Sequence, residues 1–213
     1  MSGSTEQLRR QWLGLLKPFA VPQALAEKTF DHLVAAYSEP GRFYHTLSHI
    51  ENVLTTMDRL TGDAPHPALQ FAGWFHDAVY DTDAKDNEEK SAALARTMLQ
   101  QLNIPADIVA TTERLILLTK SHVPDSEDDE GKILVDADLA VLGATPSDYE
   151  EYARAIRREY AWVPELKYRV GRSRILAEFL KRPRIYHTEV MFVASEQQAR
   201  TNVAAEVSSL TSS

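Results

Sequence analysis

Apolar residues recur along this chain at intervals of three and four, a spacing that predicts helices rather than strands. Leu8, Trp12, Leu15 and Leu16 share one face of a first helix, which Ser4 or Thr5 can cap and which stops near Pro18. Pro22 opens a second, with Leu25, Phe30, Leu33 and Val34 on one side. After Gly41 a third runs from about Thr46 to Leu60, carrying Ile50, Val53, Leu54 and Met57. Pro67 begins a helix through Leu69, Phe71, Trp74, Phe75 and Val79 that is apolar on most sides, so it reads as the buried centre of the fold. Further helices are expected from Asn87, from Pro105, around Ile133 to Val135, from Pro146, from Pro164, and from Glu189 to Leu210. The stretch from Ile185 to Val193 alternates enough to form a short extended piece. No repeat and no linker-like segment interrupts this pattern, so the expectation is an all-α fold, a single-domain helical bundle of residues 1–213.

Composition narrows what such a bundle can do. At 213 residues, 44% hydrophobic and 25% charged, the chain can bury a substantial core. A formal net charge of −8 disfavours a nucleic-acid-binding surface or attachment to an anionic membrane. Without cysteine, disulfides, thiolate metal sites and cysteine nucleophiles are excluded, so any metal must be bound by nitrogen and oxygen. The N-terminal MSGSTEQLRR lacks the apolar core of a signal peptide, and no 18-residue apolar run occurs; a cytoplasmic location is expected.

The candidate chemistry is a set of polar residues placed inside apolar helices. In YHTLSHIENVL, His45 and His49 lie four apart and share a helical face if the helix begins early enough. In FAGWFHDAVYD, His76 and Asp77 sit within the most apolar helix, where they need hydrogen bonds or a metal to offset their burial. KILVDADLAVLGA adds Asp136 and Asp138 to a third apolar segment. The acidic stretch DSEDDEGKILVD is no calcium loop, because Glu130 stands where the glycine is needed and Gly131 comes one place late.

With these residues in the order H…HD…D, the chain resembles the HD-domain superfamily of metal-dependent phosphohydrolases from about Tyr44 to the C-terminal helices. It is most similar to the subgroup of predicted metal-dependent HD phosphohydrolases, in which stretches like YHTLSHI, WFHDAVYD and NEEKSA recur. The resemblance implies a metal-binding core of about residues 44–143, covered by C-terminal helices over 146–210. It implies the ligands His49, His76, Asp77 and one aspartate of the DAD run. Related proteins carry the ligand aspartate just before a basic or apolar residue, a register that selects Asp138 and leaves Asp136 as a supporting or helix-capping group. Two imidazoles and two carboxylates suit one divalent ion, Mn²⁺, Fe²⁺, Ni²⁺, Zn²⁺ or Mg²⁺.

The implied reaction is hydrolysis of a small phosphorylated substrate, such as a nucleotide, by metal-activated water. Asp81 is the first choice for the proton-accepting group and Glu88 the second; a helix-terminating aspartate and a first-turn glutamate are the alternative readings. Some members carry a glutamate three residues after the paired aspartate, where this chain has Tyr80, a departure that weakens transfer of one member's activity to this chain. His45, Tyr80, Lys120, His122 and Arg172 are the expected substrate contacts. Arg172 is chosen from a locally basic stretch in which ten Lys or Arg face five Glu between Glu150 and Arg184, and Gly171 beside it would permit close approach. A di-iron oxygenase would need more histidines between the HD pair and the last aspartate than His122 alone, and a non-catalytic nucleotide- or metal-binding domain is the remaining alternative.

Overall fold

A computed structural model describes residues 3–62 and 65–212. Among these residues every regular element is a helix, so the expected all-α class is what the structure shows. The chain divides into two compact units, residues 1–123 and 124–213. The division falls within the stretch 44–143 that the sequence groups as one metal-binding core. No described helix is long and apolar enough to cross a membrane.

The first unit contains α1 (Gly3–Leu16), α2 (Gln23–Ala36), α3 (Leu47–Thr61), α4 (Pro67–Phe75), α5 (Asn87–Gln101) and α6 (Ala106–Leu118). Proline marks the starts: Pro67 is the first residue of α4, while Pro22 and Pro105 immediately precede α2 and α6. α4 packs against α3, α5 and α6, and seven of its nine residues are buried. Its aromatic side chains meet Trp12 edge-on, with ring centroids 5.9 Å away at Phe71, 5.5 Å at Trp74 and 6.1 Å at Phe75. Burying each such side chain contributes roughly 1.5–3 kcal/mol. The polar atoms in this core are matched: Trp12 Nε1 donates to the Ala26 carbonyl at 2.9 Å and Tyr37 Oη to that of Trp74 at 2.9 Å.

Two expectations shift in this unit. α3 begins at Leu47, so His45 stands in the preceding loop rather than one turn below His49. α4 ends at Phe75, so His76 and Asp77 follow its last turn instead of lying inside it. After α4 the carbonyls of Asp77 and Ala78 take Arg42 as their partner, which a periodic pattern does not reveal.

The second unit contains α7 (Asp129–Asp138), a 3₁₀ turn over Leu139–Gly143, α8 (Pro146–Glu159), α9 (Glu165–Lys181) and α10 (Glu189–Thr211). Asp128, from the acidic loop, caps α7 by accepting the Gly131 N–H at 3.0 Å. α10 packs on α9 and on the 3₁₀ turn. At Gly143 a β-carbon would lie 2.7 Å from Ser195 Cβ and 2.9 Å from Tyr186 Oη, so only glycine permits that approach. The possible extended piece at Ile185–Val193 is not a strand: Thr188 caps α10, and the residues after it are helical.

Candidate metal centre

His49 is the third residue of α3 and turns inward with Ile50, Val53 and Met57, leaving it 3% exposed. His76, 1% exposed, directly follows α4. Its Nδ1 lies 3.0 Å from the Gly73 carbonyl, which can only accept, so Nδ1 carries the proton and Nε2 turns the other way. That Nε2 is 3.1 Å from His49 Nε2 and 3.1 Å from Asp77 Oδ2, and His49 Nε2 is 3.4 Å from the same oxygen. Three potential donors thus form a nearly equilateral triangle. An ion bonded at roughly 2.1 Å to nitrogen and oxygen spaces adjacent ligands about 3.0 Å apart in octahedral and about 3.4 Å in tetrahedral coordination. The observed edges span that interval, so the three side chains fit a divalent cation as they stand.

Electrostatics prepares the carboxylate. Burial pushes the Asp77 carboxyl up, but the neighbouring imidazoles of His76, His45 and His49 outweigh it and hold the group well below the usual range. Asp77 is therefore anionic at neutral pH.

His45 and Tyr80 join this cluster. Their rings stack with centroids 4.0 Å apart and planes 29° from parallel, and His45 Nε2 is 4.0 Å from Asp77 Oδ2. The Tyr44 ring lies 4.9 Å from that of His49. Ser91, on α5 and fully buried, accepts the Val79 N–H at 3.0 Å and fixes the chain just beyond Asp77.

Asp81, Lys120 and His122 have structural partners. Asp81 lies in the exposed loop before α5, where Oδ1 accepts the Asp83 N–H at 2.9 Å and the Asn87 side chain holds its backbone N–H and carbonyl. Glu88 occupies the first turn of α5. Lys120 pairs with Glu89 and donates to the Lys85 carbonyl at 2.9 Å. His122, at φ 52°, closes the end of α6 by donating its N–H to the Leu118 carbonyl.

In the second unit, Arg172 is largely buried and donates to both carboxylate oxygens of Glu206, at 2.9 and 3.2 Å, and to Tyr152 Oη at 3.1 Å. Tyr149 Oη donates to the same carboxylate at 2.5 Å. A β-carbon at Gly171 would meet nothing within 4 Å, so no close approach explains that glycine.

The DAD aspartates, also in the second unit, separate by role. Asp136 is 0% exposed and accepts the backbone N–H groups of His187 and Thr188, both at 2.7 Å, and the Thr188 hydroxyl at 2.6 Å. It ties α7 to the two residues before α10 and braces Thr188, which caps that helix. Asp138 is the last residue of α7 and is half-buried.

Sequence reasoning missed Arg42, which is 8% exposed and bonds to the carbonyls of His45, Asp77 and Ala78. An arginine just before the YH pair, three residues after Glu39, was the available signal. It also missed Gly73, where a β-carbon would lie 2.9 Å from Met57 Cε and 3.2 Å from Leu54 Cδ2. That glycine lets α3 and α4 approach each other. No family model matches the chain, and searches of curated proteins and of solved structures find no match.

Proposed function

We propose that this protein is a metal-dependent phosphohydrolase in which His49, His76, Asp77 and Asp138 hold one divalent cation. The observation that carries the reading is the triangle of two imidazole nitrogens and one carboxylate oxygen with edges of 3.1, 3.1 and 3.4 Å. Asp138 is named as the fourth ligand because Asp136 already receives three hydrogen bonds. When bound, the cation supplies an acidified water and neutralises charge on a phosphoryl oxygen. Asp77 contributes a carboxylate that is already ionised, so it binds a cation without first releasing a proton.

His45, beside Asp77 and stacked on Tyr80, is the proposed contact for a phosphoryl oxygen of the substrate. Asp81 and Glu88 are the proposed proton acceptors, and a small phosphorylated compound, a nucleotide among the candidates, is the proposed substrate. Arg172 has no part in this reading, since Glu206 and Tyr152 hold its guanidinium.

The test is elemental analysis of the purified protein followed by a phosphatase screen across nucleotides and phosphomonoesters, with Asp77→Ala as control. The expected result is about one Mn, Fe, Ni, Zn or Mg per chain and phosphate release that the substitution abolishes. A metal-free protein that cannot be loaded, or hydrolysis unaffected in Asp77→Ala, would refute the proposal.

A further inference from the structure

Arg42 has no donor left to offer a substrate. Nε and one Nη2 N–H go to Glu39 Oε2, both at 3.3 Å. Nη1 donates to the carbonyls of Asp77 at 2.7 Å and His45 at 3.3 Å, and the other Nη2 N–H to that of Ala78 at 3.1 Å. A guanidinium has five N–H donors, and here each has an acceptor. Both aromatic neighbours are engaged as well: the guanidinium carbon lies 5.3 Å from the Tyr37 ring centroid and 5.5 Å from that of Tyr80.

The carbonyls it binds belong to the two segments that carry the metal-binding side chains. Those of Asp77 and Ala78 follow the end of α4, where carbonyls lack helical partners and a cation is favoured. That of His45 belongs to the loop entering α3, four residues before His49. Tyr80, beneath the guanidinium, also carries the His45 ring.

We infer that Arg42 is the positioning residue of the metal centre, fixing the separation of His49 from His76 and Asp77 and the pose of the Tyr80–His45 stack. The inference rests on the proposed metal site and adds what sets its affinity. Lysine retains the charge but not the planar fork, so it cannot span three carbonyls and Glu39 together.

The experiment is calorimetric titration of MnCl₂ into metal-stripped wild type, Arg42→Lys and Leu33→Ala, the last removing a buried α2 side chain that contributes no metal ligand. Arg42→Lys should weaken Mn²⁺ binding by about 10–100-fold, as for other groups that orient ligands. Leu33→Ala should lower the Tm yet leave affinity within about twofold, because Leu33 supplies neither a ligand nor a hydrogen bond to the segments that carry the ligands. Wild-type affinity in Arg42→Lys, or a loss no larger than that in Leu33→Ala, would overturn the inference.

If wild type takes up neither Mn²⁺ nor Zn²⁺, the proposed function falls. Arg42 is then judged on long-range ¹H–¹⁵N spectra of the metal-free histidines. His76 should hold one Nδ1–H tautomer in wild type and a mixture in Arg42→Lys; identical spectra would overturn the positioning role. Should Arg42→Lys fail to fold, Glu39→Ala replaces it, since Glu39 is exposed and its removal leaves the three carbonyl bonds. Mn²⁺ binding should then weaken about tenfold, the lower end of what a loosened ligand support costs; wild-type affinity would count against Arg42.

Discussion

The two aspartates of the DAD run are separated by a single residue in sequence, and the proposed function gives them different roles. Asp136 receives three hydrogen bonds where α10 begins, so Asp136→Ala leaves buried N–H groups without an acceptor. The expected cost is about 1.5–3 kcal/mol per charge-assisted bond, read as a lowered urea midpoint. Asp138→Asn should instead leave the midpoint nearly unchanged and reduce bound metal, measured by elemental analysis. The reverse pattern would exchange their roles. Asp81 yields to similar reasoning. Its carboxylate accepts the Asp83 N–H, and asparagine can accept the same bond, so Asp81→Asn preserves the loop. Metal content should hold while kcat falls by about 10²–10⁴-fold, the range for losing a general base. Unchanged kcat would confine Asp81 to shaping the turn.

At the scale of elements, the spacing of α3 and α4 decides whether His49 and His76 can meet. Gly73→Ala would put a methyl 2.9 Å from Met57 Cε and 3.1 Å from its Sδ. Because methionine is flexible, the clash should cost about 1–3 kcal/mol rather than prevent folding. Denaturation should show that loss together with weaker metal binding, and adding Met57→Ala should recover part of both. The helices themselves were legible because proline marks where several begin and apolar spacing marks their buried faces. His49, His76 and Asp77 stood out as polar residues in apolar runs. Arg42 was hidden because most of its partners are carbonyls, which every residue possesses and no sequence pattern distinguishes. The end of α4 was misplaced for a related reason: beyond it the backbone is held by side chains from elsewhere in the fold, Arg42 at the carbonyls of Asp77 and Ala78 and Ser91 at Val79.

At the scale of the whole molecule, alkaline pH should act on residues 124–213 through Tyr149, Tyr168 and Tyr186, whose hydroxyls are held protonated. Burial pushes Tyr168 up to about 12, against partial relief from Arg172. Burial also raises Tyr149, reinforced by the charge of Glu206 and the hydrogen bond to it, and raises Tyr186. In each case the folded state keeps a proton that the unfolded chain releases near pH ~10. Between that pH and the folded value the unfolded state binds fewer protons, so unfolding becomes easier as pH rises. The associated stability is complete below pH ~10 and is lost through about 12 for Tyr168. Tyrosinate absorbance and helical circular dichroism should therefore change together for a late-titrating class among the eight tyrosines, with amide exchange accelerating in α8 to α10. Tyr149→Phe should shrink that class, since it removes the hydroxyl bonded to Glu206 while leaving Arg172 on the same carboxylate. All eight tyrosines ionising near pH ~10 with helicity intact would contradict the buried hydroxyl network of this unit.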